Sequence, residues 1–77
     1  MRYHDGQIAR LGDEVHLAGN AGKVVCSIDT NEYSDAYKEE HWSYLRKGVV
    51  IEFEAFGPVH YELPEADLMF VRRRRSE

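Results

Sequence analysis

The nitrogen and sulfur side chains able to bind a metal are few and scattered: His4, His16, His41, His60 and the single cysteine, Cys26. A zinc site needs three or four ligands converging at ~2.0–2.3 Å, usually announced by local pairs. No H-x3-H or C-x2-C pair is present, so no metal and no other cofactor is expected. Cys26 has no partner for an internal disulfide, and in the alternating run KVVCSID it is expected to be a small buried hydrophobe. Nucleophile motifs are missing. GNAGK ends in lysine but is too short for a phosphate-cradling loop and runs into a predicted strand rather than a helix. Paired carboxylates remain. Glu52 and Glu54 share one face of a predicted strand, and Glu62 is expected across from them, forming an acidic ladder. Such groups can perform acid–base work, but a solvated outer sheet face is the plainer use. Like charges across strands cost stability, and a protein that keeps that cost would turn the face toward a basic partner. No enzyme is expected.

The densest chemistry lies in residues 32–48, EYSDAYKEEHWSYLRKG, with three tyrosines, a tryptophan, four acids and a histidine. The net charge of the chain is −4, and it is unevenly spread. Residues 1–28 balance, residues 29–40 set five acids against Lys38, and residues 41–71 set five acids against Arg46 and Lys47. Arg72, Arg73, Arg74 and Arg75 then close the chain ahead of Ser76 and Glu77. An acidic body is a poor surface for phosphate and a good one for a basic protein. Tyrosine gives rigid contact area, and carboxylates steer a cationic partner. The predicted partner-binding residues are therefore Glu32, Tyr33, Asp35, Tyr37, Glu39 and Glu40, aided by Glu52, Glu54 and Glu62.

These residues need elements to hold them. EVHLA (14–18) and KVVCSID (23–29) alternate as half-buried antiparallel strands, with Val15 and Leu17 inward, then Val24, Cys26 and Ile28 inward. Gly19–Gly22 is the expected hairpin loop between them. GVVIEFEAFG points Val49, Ile51 and Phe53 inward, and VHYEL points Val59, Tyr61 and Leu63 inward. Residues 64–67 suit a single helical turn, and Leu68–Val71 is the last strand, with Leu68 and Phe70 inward. Within the insertion, Ser34 is placed to cap a turn. Residues 38–45 form about two helical turns, with Tyr37, His41, Tyr44 and Leu45 on one face and Trp42 at its edge. Gly48 ends that helix. Five short strands that must bury apolar faces on both sides curl into a small barrel. The expected fold is mainly β: a five-stranded barrel of one domain, residues 1–77, with a short helix between its second and third strands and residues 72–77 as a flexible basic tail.

The stretch DGQIARLGDEVHLAGNAGKVV resembles the opening of SH3-like barrels of the KOW and Tudor type. There a GD-x-V strand runs into a glycine-bearing turn and a G-x-V strand. The likeness covers about 25 residues and implies fold more than function. A KOW-type nucleic-acid binder is expected to carry basic residues around this turn. Here Lys23 alone does, and Asp29 follows, so nucleic acid or the ribosome ranks below a basic protein as partner. In size, charge and style the chain also resembles small bacterial immunity proteins of polymorphic toxin systems. That resemblance implies a toxin inhibitor acting by occlusion. A peptide adaptor lined by Tyr33, Trp42 and Tyr61 is a third reading. No apolar run approaches the ~20 residues of a membrane span, and MRYHDGQIARLGD lacks the apolar stretch of a secretory signal. The cytoplasm is the expected location.

Overall fold

The computed structural model of the chain describes residues 1–73. Six strands form one antiparallel sheet: β1 (Glu14–Leu17), β2 (Asn20–Ser27), β3 (Glu32–Tyr33), β4 (Val49–Phe53), β5 (Gly57–Tyr61) and β6 (Leu68–Arg72). A single α turn, α1 (Glu39–Trp42), and a 3-10 turn at Ser43–Leu45 lie between β3 and β4. The strand order is β5-β4-β2-β1-β6, and β3 also pairs with β2.

The expectation of five strands closed into a barrel needs two corrections. The insertion adds the sixth strand, β3. The sheet also stays open, because its path ends at β5 and β6, which do not pair with each other. The large core is instead capped by the segment before β1. Met1, Tyr3 and Ala9 join Val15, Val24, Val49, Ile51, Phe53, Tyr61 and Leu68 in one buried cluster. A small turn, with Tyr3 N–H donating to the Gln7 carbonyl at 2.8 Å, holds that segment.

The hairpin turn falls earlier than expected. Ala18 and Gly19, both at positive φ (50° and 85°), connect β1 to β2 in two residues. A type I′ two-residue hairpin takes positive φ at both central positions, and its twist matches that of the strands. Gly22 therefore lies inside β2, where a Cβ would sit 2.6 Å from a Phe53 ring atom.

Alternation in β2 also breaks where the sequence predicts it to continue. The register against β4 slips between Val24 and Cys26, a bulge opposite Ile51 and Val50. Val24 enters the large core, while Val25 and Cys26 both turn to the other face and meet Val50. A bulge inserts one unpaired residue and so moves everything after it across the sheet. Leu63 likewise departs from expectation: β5 ends at Tyr61, and Leu63 is 79% exposed. In place of the helical turn expected over 64–67 the chain makes a tight turn over 65–68, with Leu68 N–H donating to the Glu65 carbonyl at 3.0 Å.

The basic tail is partly structural. Arg72 ends β6 and pairs with Glu14 at 3.0 Å, and Arg73 pairs with Asp13 at 2.9 Å. Arg74, Arg75, Ser76 and Glu77, the rest of the expected flexible tail, lie outside the described residues. No helix among the described residues is long and apolar enough to cross a membrane.

The turn geometry gives a paired test by urea denaturation. An L-residue with a Cβ at left-handed φ costs roughly 1–2 kcal/mol, and asparagine tolerates it better. Ala18→Asn should therefore stabilise the protein by about 0.5–1 kcal/mol. Gly22→Ala should destabilise it by about 1–3 kcal/mol by driving a methyl into the Phe53 ring.

Candidate functional site

The insertion is clamped at its stem. Ile28 and Asp29 N–H groups both donate to the Gly48 carbonyl, and Gly48 N–H donates back to Asp29 Oδ1 at 2.9 Å. The Met1 ammonium also donates to the Asp29 carboxylate. Burial pushes the Asp29 carboxyl up, and Gly48 N–H with the Met1 ammonium more than offsets that, leaving it below the usual range.

From this stem the chain turns back over the second sheet face. Tyr33 lies opposite Cys26, and the Ser34 hydroxyl donates to the Val25 carbonyl at 2.6 Å rather than capping a helix. Tyr37 N–H donates to the Ser34 carbonyl, closing a tight turn. The Tyr37 and Trp42 rings pack 5.2 Å apart between centroids. With Ile28, Tyr33 and Leu45 they cover Val25, Cys26 and Val50, a second, smaller apolar layer. Burial here pushes the Cys26 thiol up.

The helical face differs from the predicted one. Helical geometry passes from α to 3-10 at Ser43, which changes the angle per residue. Trp42 and Leu45 face inward together with Tyr37, which the turn at Ser34 places ahead of the helix, while His41 and Tyr44 point out, Tyr44 at 72% exposure. Tyr61 belongs to the large core on the opposite face, so Tyr33, Trp42 and Tyr61 do not line one groove.

The predicted partner-binding residues divide into two groups. Glu32 is structural: it accepts from Arg10 Nε and a terminal guanidinium N–H at 3.0 Å each, from Leu11 N–H at 3.1 Å and from the Thr30 hydroxyl at 2.6 Å. The Arg10 hydrogen bonds, above all, hold its carboxyl down at about 2. Tyr33 and Tyr37 are half-buried cover, and the Tyr37 hydroxyl donates to Glu52 at 3.2 Å. Asp35, Glu39, Glu40 and Glu54 are exposed. Glu40 lies 3.9 Å from His41, and Asp35, Glu39 and Glu54 make no ion pair among the described residues.

The acidic ladder does not form. Glu52 stands opposite Lys23 on one side and Pro58 on the other. Glu62 lies past the end of β5, 3.6 Å from Lys47. Across the sheet the row reads Arg72, Glu14, Lys23, Glu52, with alternating sign, and Glu14, Lys23 and Glu52 line an open cleft with Phe53 and Glu54. Opposite charges directly across strands stabilise the pairing, so this row serves the sheet.

Sequence reasoning missed Asp13 altogether. Its side chain is fully buried and accepts from the Tyr3 hydroxyl (2.8 Å), Arg10 N–H (2.9 Å) and the Arg73 guanidinium (2.9 and 3.3 Å). Its only local signal is the Gly12-Asp13 turn dipeptide, which carries no information about a partner 60 positions away. The histidines stay apart. His4 Nε2 donates to the Glu65 carbonyl and His60 Nε2 to the Lys47 carbonyl, both at 2.8 Å. No group of three His, Cys, Asp or Glu among the described residues could hold a metal ion.

A carboxylate held below its unfolded pKa stabilises the fold above that unfolded value, and the stabilisation drains away as pH falls through the folded value. Glu32→Gln should cost about 1–2 kcal/mol at neutral pH, after discounting for solvent around Arg10. In thermal melts the gap to the unsubstituted protein should close as pH falls from 4.5 toward about 2. Trp42→Ala should cost about 2 kcal/mol by stripping the second layer. It should also speed the reaction of Cys26 with a soluble thiol reagent, followed by mass spectrometry. Comparison with family models, with curated proteins and with solved structures finds no match for this chain.

Proposed function

We propose that this chain is a non-catalytic protein-binding module of the cytoplasm, an immunity-type inhibitor that occludes a basic partner such as a toxin domain. The observation that carries the reading is the distribution of charge partners. Arg10, Arg72 and Arg73 are taken up by Glu32, Glu14 and Asp13. Asp35 and Glu39 are left exposed without an ion pair among the described residues, as are Lys38 and Arg46 of the same short segment, which also carries Glu40 and the exposed Tyr44. Exposed carboxylates beside an exposed ring steer and then seat a cationic surface. The contact set narrows accordingly to Asp35, Glu39, Glu40 and Tyr44, with Glu54 at the sheet's edge. Glu32, Tyr33 and Tyr37 act by shaping the segment that presents them.

The same reading takes the fold as an SH3-like sheet that curls without sealing. In its support, β6 returns to pair with β1 after a single turn at Glu65–Leu68. The alternative is a KOW-like nucleic-acid or ribosome-associated protein working through Lys23 and the terminal arginines. Three features weigh against it: Lys23 sits between Glu14 and Glu52, Arg72 is paired with Glu14, and Arg73 is paired with Asp13.

The two readings separate in one set of capture experiments. Immobilised chain should retain basic proteins from lysate at low salt and release them near 1 M salt, where the screening length falls to ~3 Å. Glu39→Lys with Glu40→Lys should reduce that capture about tenfold while leaving the melting temperature unchanged. Truncation after Arg73 should leave it intact. RNA or DNA retention that depends on the truncated residues would favour the alternative.

A further inference from the structure

We propose that the outer edge of β6 is the contact through which two copies of this chain pair, antiparallel and two-fold symmetric about Met69. β6 is a terminal strand of the sheet, hydrogen-bonded to β1 on one side only. Its other side therefore presents main-chain groups with no strand partner among the described residues. Such an edge is normally blunted by proline, by charge or by a bulge. The opposite edge, β5, carries Pro58. On β6 the register against β1 is continuous over Leu68–Phe70 and shifts only beyond it, where Val71 is passed over between Phe70 and Arg72. The regular run Leu68-Met69-Phe70 thus has no strand beside it, though the Leu68 N–H is taken by the Glu65 carbonyl and Tyr3, His4 and Asp5 line the same shallow cleft; Met69 at its centre is 66% exposed.

The charges flanking this run select a second copy as the occupant. Glu65 and Asp67 precede it, and Arg72 and Arg73 follow it. Antiparallel pairing about Met69 sets Met69 against Met69 of the other copy and Leu68 against Phe70. It also brings the acids that precede the run in one copy, Glu65 in the turn and Asp67, toward the arginines that follow it in the other. A parallel arrangement would align acid with acid and arginine with arginine. Asp67 is exposed and makes no ion pair among the described residues, so it is available to the other copy. Arg73 keeps its bonds to Asp13 and remains 42% exposed at the side chain. Directly opposed residues in an antiparallel pair stand ~4.5–5.5 Å apart. The contact is short, and the dimer it makes is weak and concentration-dependent.

Sedimentation equilibrium over a range reaching about 500 μM chain tests the association. The mass should rise from 9.0 kDa toward twice that value and stop. Met69→Lys, which sets two cations across the two-fold axis, should weaken association at least about tenfold, and Asp67→Lys several-fold, with melting temperatures unchanged. Under mild oxidation Met69→Cys should give a disulfide-linked dimer. The unsubstituted chain, with Cys26 buried, should give none, and neither should Ala66→Cys, a position displaced from its own mate. A chain that stays monomeric throughout the range, growth beyond two copies, association indifferent to Met69→Lys, or cross-linking of Ala66→Cys equal to that of Met69→Cys would each overturn the proposal.

Discussion

The Asp13 carboxylate is fully buried, and the rest of the molecule is arranged around satisfying it. An ionised carboxyl taken out of water costs several kcal/mol unless donors replace the lost hydration. Four hydrogen bonds do so, and they come from three separate pieces of chain: Tyr3 in the N-terminal turn, Arg10 ahead of β1, and Arg73 just past β6. The main chain of Asp13 adds a tie to β2, accepting from Val24 N–H at 2.9 Å. One residue therefore joins both ends of the described chain to the centre of the sheet. This accounts for a core that is closed by the N-terminal segment although β5 and β6 never meet.

The same constraint shapes the charge pattern. A chain with an acidic body and an arginine-rich end would ordinarily neutralise itself wherever the end could reach. Asp13 and Glu14 draw in Arg73 and Arg72 at the β1–β6 side of the sheet, and Glu32 draws in Arg10. The insertion is thereby anchored by Glu32, by the Asp29–Gly48 stem and by the Tyr37–Trp42 pair. Asp35 and Glu39, further along it, make no ion pair among the described residues. The aromatic residues of this segment are mostly cover for Val25, Cys26 and Val50, and only Tyr44 faces fully outward. Packing and presentation are thus divided between neighbouring residues of one short stretch.

Periodicity made the five longer strands legible, along with the inward placement of Val15, Ile51, Phe53 and Leu68 and the presence of a short helix before Gly48. These depend on local alternation and on turn residues, which a sequence displays directly. It could not display the bulge at Val25, because one inserted residue in an apolar run leaves no compositional mark, and Cys26 consequently changed faces. The two-residue turn was displaced because Ala18 accepts a left-handed conformation that its side chain disfavours. Among the charged residues, acid-rich composition singled out the insertion but did not tell Glu32 from Glu39. That distinction rests on Arg10, 22 positions away, and the role of Asp13 rests on Arg73, 60 positions away.

Native-state hydrogen exchange measures most directly whether Asp13 binds the terminal segments to the sheet. If it does, the amides of Ala9 and Arg10 open only with the whole molecule. Their exchange free energies then equal those of Val24 in β2 and Ile51 in β4. Exchange at Ala9 and Arg10 through openings several kcal/mol cheaper than those of Val24 and Ile51 would contradict the account.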